Sequence, residues 1–555
     1  MTLIQKFTTL GTAIRFHGIS GAMPHISTFW RKFGDRRDYQ KLIKQDEIST
    51  KLREELRSKV GKFDSRPLIS IILPVYNVDE TWLRKCIDSV IAQVYPNWEL
   101  CIADDASTRP YIRPMIEEYI GKDQRIKAVF RPRNGHISAA SNSALELAAG
   151  DFTVLLDHDD ELSEDALYWV ASELNEHPEA EMIYSDEDLI DEKGRRSDPK
   201  FKPDFSRDLL YSLNLVTHLS SYRTDLLRKI GGFRTGLEGS QDYDLALRVI
   251  EQIPETAIRH IPRILYHWRT IPTSVAGNTG AKPYAFAKAR EAIGSHFDRT
   301  GIEATVEAVI GDLNRAQYQL PDPLPRVSLV IDAGNADPFG SRTDYPDLEM
   351  IAVDTAGKLS TRLNSAAELS TGQVLCFVDG TLNPLSPDWL REMVSLAMQP
   401  KIGAVGAKLL STNGGIDQTG LILGGSDLVR KAHFGFPNDH NGNFFRAALI
   451  GNYSAVSSRC LVIRRYAFEE MNGFDDKHFA GNFFDVDLCL RLWEHGYRVV
   501  YTPYAELIET YKRLQIPVNE AEREYLQSRW ESQLKHDPFN NPHFTDEGET
   551  FRYRV

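Results

Sequence analysis

FTVLLDHDDEL, residues 152–162, is an apolar run that ends in carboxylates. Phe152 to Leu156 are apolar or β-branched, the pattern of a strand buried on both faces. The chain then turns abruptly into Asp157, His158, Asp159, Asp160 and Glu161. In open α/β sheets ligands sit at such carboxyl ends. Four carboxylates within five positions repel one another, so a cation, a donor-rich bound group or shifted pKa values must hold them together. A divalent cation is the simplest answer. Magnesium and manganese take oxygen ligands, usually only one or two protein carboxylates, and let substrate phosphates complete the shell. On these residues alone, a solvated acidic turn capping a helix is an equal alternative.

Working outward, the pattern from Pro67 alternates strand and helix. LISIILPVY (68–76) reads as a buried strand, Leu83, Cys86, Ile87, Val90 and Ile91 fall at helical spacing, and Trp98–Ala103 gives a second strand ending at Asp104 and Asp105. Ile126–Phe130 gives a third strand, and Ile137–Ala149 a helix stopped by Gly150. Downstream, Ser163 starts the next helix with Glu164 and Asp165 in its first turn. This βαβ grammar predicts an open α/β sheet of nucleotide-binding, Rossmann-like type whose strand ends carry Tyr76, Asp105 and Asp157. No GxGxxG follows the first strand and no GxxxxGK[ST] occurs, which disfavours a dinucleotide-dependent dehydrogenase and a P-loop enzyme.

The 555 residues exceed one ordinary core and predict two substantial domains. With 78 acidic against 65 basic residues, the net charge of −13 gives no footprint for nucleic acid. The five cysteines, Cys86, Cys101, Cys376, Cys460 and Cys489, lack CxxC spacing, which points to a reducing cytoplasm, and Cys86 and Cys101 fall in core patterns. No apolar run approaches a membrane span and the start lacks the layout of a secretory signal, so a cytoplasmic protein is expected. The first 44 residues interleave Lys6, Arg15, Arg31, Lys32, Arg36, Arg37, Lys41 and Lys44 with Phe7, Ile14, Phe16, Ile26, Phe29, Trp30 and Phe33. Such an arm suits peripheral contact with an anionic membrane face. A helical arm packed on the catalytic body is favoured instead, because His17, Gly18 and Gly21 interrupt a long amphipathic helix.

Six ordered blocks now stand together: ISIILPVYN (69–77), CIDSVIAQVYPNWELCIADDAS (86–107), NGHISAASNSAL (134–145), LLDHDDEL (155–162), GGFRTGLEGSQDYDLALR (231–248) and HIPRILYHWR (260–269). This arrangement resembles the family 2 glycosyltransferases of the GT-A fold. The resemblance implies sugar transfer from a nucleoside diphosphate with inversion, in one in-line displacement. It implies that Pro74, Val75, Tyr76 and Asp105 hold the nucleotide, with Asp105 accepting the N3 proton of a uracil or thymine ring, hence a UDP- or dTDP-sugar. Asp104 reads as a turn residue. Asn142 would approach the nucleotide or else bond its own backbone. Asp157 and Asp159 match the family's DxD and would hold Mn2+ or Mg2+ together with His267, while Asp160 would touch the sugar or brace the metal shell and Arg269 would fork onto phosphate. Asp242 is implied as the general base, although Gln241 departs from the acid the family usually places before it. Asp244 caps the helix or pairs with Arg248. The acidic run Tyr184–Asp188 borders the pocket or forms an exposed loop. The acceptor would be a glycan or lipid-linked glycan of a bacterial surface polysaccharide, such as O-antigen or capsule, at the inner face of the cytoplasmic membrane.

The second half repeats the first. LNSAAELSTGQVLCFVDGTL from Leu363 aligns without gaps on SNSALELAAGDFTVLLDHDD, IAVDTAG from Ile351 on CIADDAS, and FDVDLCLR from Phe484 on QDYDLALR. Asp379 matches Asp157 and Asp485 matches Asp242. Thr355, Thr381, Leu382 and Glu509 replace Asp105, Asp159, Asp160 and His267. The expected organisation is an arm (1–66), a catalytic GT-A domain (67–275), a helical connector (276–325) with a helix over Ala285–Phe297, a degenerate second GT-A-like domain (326–515) whose first long helix is lost or reduced, and a docked tail (516–555) containing Trp530. Two active domains, or a non-catalytic glycan-binding scaffold, are the alternatives.

Overall fold

The computed structural model describes residues 23–28, 31–32, 34–271, 283–332, 337–353, 356–512 and 516–555. Much of the basic, aromatic arm (everything before residue 23, with Phe29, Trp30 and Phe33) lies outside the described residues, as does Thr355. The chain forms two compact bodies. One comprises residues 39–205 and 213–314; the other takes in residues up to 38, 206–212 and 315–554. The expected connector therefore divides: its helix, Pro283–Thr300, belongs to the first body.

In the first body, α1 (Thr50–Val60) starts at Ser49, whose hydroxyl accepts from the Leu52 N–H, and buries Leu56 and Val60. There follow β1 (Ile69–Val75), α2 (Glu80–Ile91), β2 (Trp98–Asp104), α3 (Ile112–Lys122), β3 (Ile126–Phe130), α4 (His136–Leu147), β4 (Phe152–Leu155), β5 (Glu161–Leu162), α5 (Ala166–Glu176), β6 (Met182–Ile190), β7 (Arg196–Lys200), β8 (Ser220–Arg223), α6 (Thr224–Lys229), α7 (Gln241–Ile250), β9 (Ile258–Arg269) and α8 (Pro283–Thr300). The sheet runs β3-β2-β1-β4-β8-β6-β9-β5. Strands β3, β2, β1 and β4 are mutually parallel. Every residue of β1 and β2 is buried, as expected for strands covered on both faces. Helix α2 turns Leu83, Cys86, Ile87 and Val90 inward and leaves Ile91 exposed. Burying each such Leu or Ile contributes about 1.5–3 kcal/mol.

Two readings change. Ser163 does not open a helix: its hydroxyl donates to Asp165 Oδ1 at 2.8 Å and the helix begins at Ala166. The acidic run Tyr184–Asp188 is no exposed loop but the buried middle of β6. It is tolerated because each acid has a basic partner. His260 and the Lys202 N–H face Asp186, His218 and Lys202 face Glu187, and His267, Arg196 and the Tyr39 hydroxyl face Asp188.

The second body repeats the plan with β10 (Val327–Asp332), β11 (Leu348–Ala352), α9 (Leu359–Leu369), β12 (Val374–Asp379), β13 (Leu382–Pro384), α10 (Trp389–Ala397), β14 (Ile402–Leu410), β15 (Cys460–Arg464), α11 (Phe484–Glu494) and β16 (Arg498–Glu509). Its sheet order, β11-β10-β12-β15-β14-β16-β13, is that of the first sheet strand for strand, without a counterpart of β3 among the described residues. Among the described residues between β10 and β11 there is only a five-residue helix, Asp337–Ser341, where α2 stands in the first body. The two sheets share a tight passage. A Cβ on Gly150 would lie 2.5 Å from the Leu68 carbonyl oxygen, and one on Gly372 would lie 2.5 Å from the Ser328 nitrogen, so both strands enter where only glycine fits. The tail docks through α12 (Glu520–Arg529) and Trp530, whose indole N–H donates to Asp487 at 3.0 Å.

Candidate active site

Register places the first-body site. Val75 of β1 lies opposite Asp104 of β2, and Ile72 opposite Leu155 of β4, so three carboxyl ends share one edge, at the point where the chain passes from one side of β1 to the other. A cavity of about 1080 Å³ opens there, lined by Pro74, Val75, Tyr76, Asp105, Asp157, Asp159 and Asp242, seven of the expected residues.

Asp105 is buried and fixed: it accepts from Arg131 Nε at 2.8 Å and from the Gly135 N–H at 2.9 Å. Asp104 accepts from the Ser107 N–H at 3.3 Å, as a turn residue does. In the acidic turn, Asp157 and Asp159 face the cavity and Asp160 faces the protein. Asp160 accepts from the Tyr266 hydroxyl at 2.6 Å and from the Arg269 N–H at 2.7 Å. Burial pushes its carboxyl well up, and the charges of Asp159 and Asp157 add to the shift.

Asp242, in the first turn of α7, accepts from Asn214 Nδ2 at 2.8 Å. Burial raises its carboxyl pKa; His218 opposes the shift and Asp157 reinforces it. The loop before it is pinned by Ser240, whose hydroxyl donates to the Ala285 carbonyl oxygen at 2.8 Å, so the helix expected as a connector supports the site. Asp244 pairs with Arg248 at 2.8 Å, as the sequence suggests, and with Arg234.

Four expected site residues do not line the cavity: Asp160, which is turned into the protein, and Asn142, Arg269 and His267. Asn142 donates to the Phe233 carbonyl oxygen and accepts from the Phe233 N–H, both at 2.8 Å, so it ties the α6–α7 loop to α4 rather than meeting a nucleotide or its own backbone. Arg269 is fully buried over Trp82; its Nε donates to the Asp159 carbonyl oxygen at 2.7 Å and its guanidinium also binds Glu161, so it braces the acidic turn from behind. His267 alternates with the lining residues Tyr266 and Trp268 along β9, and its Nδ1 lies 2.6 Å from Asp188 Oδ1. A strand's two faces explain the error: the block was matched, but its side-chain alternation points His267 away.

Sequence reasoning missed His218. Its ring lines the cavity, stacks on Tyr266 at 4.5 Å between centroids, and places Nδ1 3.0 Å from Glu187 Oε2. Burial disfavours the imidazolium, but the Glu187 hydrogen bond and charge, with those of Asp157 and Asp242, outweigh it and the pKa is raised. Burial likewise works against the Glu187 carboxylate, yet Lys202 and His218 hold it down to about 2. The signal was in the repeat. Arg223 of β8 lies opposite Phe152, and Arg464 of β15 opposite Val374; five residues before each stand His218 and Arg459.

A divalent cation fits the residues present in one form only. Asp157 and Asp159 offer hard oxygen donors, and neither carries an ion pair among the described residues. No group of three or more His, Cys, Asp or Glu side chains among the described residues converges on a metal-sized site. The protein thus supplies two carboxylates at most, the arrangement Mg2+ or Mn2+ accepts when phosphates complete the shell.

Two family descriptions match the chain: "Glycosyl transferase family 2" over residues 70–231 and "Glycosyltransferase like family 2" over residues 342–533. The chain belongs to the family 2 glycosyltransferases. Each body is one GT-A-type unit. Protein y4gI of Sinorhizobium fredii, an uncharacterized protein, is 38% identical over 90% of this chain and 60% of its own length. The O-antigen biosynthesis protein RfbC of Myxococcus xanthus is 32% identical over 88% of this chain and 41% of its own. The chain thus spans less than two thirds of either relative. Among solved structures, Staphylococcus aureus TarS 1–349 in complex with UDP shares 20% identity over 41% of this chain and 72% of that one, with a TM-score of 0.32.

The second GT-A unit of this family 2 chain carries a different centre. Arg459 reaches Asp379 at 3.1 Å, Asp417 at 2.7 Å and Glu509 at 2.9 Å, so a guanidinium stands among the carboxylates. Thr381 donates to Asp379 from its hydroxyl at 2.8 Å, and Asp485 is occupied by the Ser458 N–H at 2.8 Å and hydroxyl at 3.0 Å. No helix of the described residues is long and apolar enough to cross a membrane.

Proposed function

We propose that the first unit is an inverting glycosyltransferase acting on a UDP- or dTDP-sugar, with a glycan or lipid-linked glycan of a surface polysaccharide as acceptor, and that the second unit is not a second transferase site. The observation that carries the reading is that Asp105, Asp157, Asp159 and Asp242 line one cavity. Asp105, held by Arg131 and Gly135, would accept the ring N3–H of the pyrimidine. Asp157 and Asp159 would hold Mn2+ or Mg2+, which when bound offsets charge on the leaving diphosphate. Asp242 would take the proton of the acceptor hydroxyl. The oxygen then bonds to the anomeric carbon on the face opposite the diphosphate, the bond from that carbon to the distal phosphate oxygen breaks, and its electron pair leaves with the nucleotide. A raised pKa suits a base, and the acid limb of the rate profile is expected above the ordinary Asp value of 3.8. The surface-polysaccharide assignment draws on similarity to RfbC and to a putative colanic acid biosynthesis glycosyl transferase of Escherichia coli, WcaA, 29% identical over 34% of this chain.

Titration with UDP and dTDP, with and without Mn2+, tests the reading. Metal-linked binding by the wild type is expected. Binding of neither nucleotide under either condition would overturn the donor assignment, and glycan binding without it would favour a non-catalytic scaffold.

A further inference from the structure

We infer that His218, oriented by Glu187, is a catalytic residue of the first unit that contacts the distal phosphate of the nucleotide donor through its Nε2. This deepens the transferase reading above and rests on it.

The geometry argues in three steps. First, the ring is held in one pose. Glu187 Oε2 accepts both the His218 backbone N–H at 2.9 Å and the ring Nδ1–H at 3.0 Å; a carboxylate only accepts, so Nδ1 carries a proton. Tyr266, itself bonded to Asp160 beneath the acidic turn, stacks on one face of the ring at 4.5 Å with an interplanar angle of 17°. A buried carboxylate behind an imidazole fixes both tautomer and direction, the arrangement by which carboxylate–histidine pairs present the far nitrogen to a ligand. Second, that far nitrogen has no protein partner among the described residues, while the ring lines the same cavity as Asp157 and Asp242. If Asp105 holds the base, the Asp242 end is the sugar end, so a donor group there meets the phosphate nearer the sugar. Third, the second unit shows what reaches from this position. Arg459 stands five residues before Arg464, as His218 stands five before the matching Arg223, and its guanidinium touches Asp379, the counterpart of Asp157. A shorter imidazole tied back to Glu187 leaves room there for a phosphate that the longer arginine does not.

The test compares UDP with UMP by calorimetry in Mn2+, using the full chain and the variants His218→Ala, His218→Gln and Glu187→Gln. His218→Ala is expected to weaken UDP about 10- to 100-fold, the range for a hydrogen bond to a charged group, and UMP by less than about 2-fold. His218→Gln, which keeps an N–H donor, should recover part of the loss. Glu187→Gln, which reaches the donor only by way of His218 although it also loosens the Lys202 pair, should weaken UDP less than His218→Ala and add nothing in the double variant. Thermal unfolding of each variant separates misfolding from lost contact, and if His218→Ala fails to fold, His218→Gln carries the comparison. Unchanged UDP affinity in folded His218 variants, or equal losses for UDP and UMP, would overturn the inference while leaving the transferase reading standing. A wild type that binds no UDP overturns the donor reading and this inference with it.

Discussion

The turns after β4 and β12 are the same piece of backbone with opposite solutions to one electrostatic problem. In the first unit, Asp157 and Asp159 face open cavity, and the compensating groups stay behind the turn as Arg269 and Tyr266. In the second, Arg459 enters from the turn just before the neighbouring strand and neutralises Asp379, Asp417 and Glu509 in place. The difference teaches that the fold itself tolerates either answer. Features shared by both units are the structural ones: Gly150 with Gly372, Asn142 with Asn364, and Asp244–Arg248 with Asp487–Arg491. The open carboxylates of Asp157 and Asp159 in the first unit, which have no open counterpart in the second, are those the proposed donor would use.

The sharpest way to break the comparison is at the two matched aspartates. Asp242→Asn should lower transfer by about 10²- to 10⁴-fold with UDP binding retained, and Asp485→Asn should leave transfer unchanged. Activity surviving in Asp242→Asn and lost only in the double variant would make the second unit an enzyme. Next in size, Asp159→Ala should abolish Mn2+-linked UDP binding without moving the unfolding temperature; unfolding would mean that the carboxylate serves the fold. Conversely, Arg459→Met strips three carboxylates of their shared cation and should cost about 3–5 kcal/mol in the second unit, read by denaturant unfolding, with UDP binding untouched.

A pH test addresses the acids of β6. His260 lies 3.0 Å from both Asp186 and Asp204, and although burial opposes the charge, these carboxylates raise its pKa to about 9. A folded value above the unfolded value of 6.5 means that the folded state binds the extra proton. That stabilisation is complete below about pH 6.5 and is lost as pH rises through about 9, for a total of about 3 kcal/mol. His260→Asn should flatten this slope. The smallest effect is expected at the shared asparagines. Asn142→Ala and Asn364→Ala should each cost about 1–3 kcal/mol by orphaning a backbone N–H and carbonyl, and neither should change UDP affinity by more than about 2-fold. A selective loss of UDP binding in Asn142→Ala would restore it to the site.

Much of this was legible in sequence because strand patterns and strand-end residues are local. Tyr76, Asp105 and Asp157 follow from where buried strands stop, whereas Pro74, Val75, Asp159 and Asp242 are reached only through the resemblance to the family's ordered blocks. The errors have one physical origin. A motif fixes which element a residue occupies, but not which way a side chain faces or what meets it from afar. His267 and Arg269 sit in the expected strand with their heads bonded to Asp188 and to Asp159 and Glu161. The acids of β6 read as a loop because their basic partners come from distant parts of the chain. His218 carried no local signal, and it becomes visible only when the second unit's strand is laid beside it.

One consequence concerns how such a chain can be divided. Residues 206–212 leave the first body and belong to the second, where Asp208 meets Arg498 at 2.8 Å and the Asn452 amide at 2.7 Å, and the Ser206 hydroxyl meets Asn452 at 2.8 Å. The chain thus passes from one body to the other more than once. A single cut after Asn314 would put residues 206–212 on the wrong fragment, leaving Asp208 without its cation in one piece and Arg498 without its anion in the other.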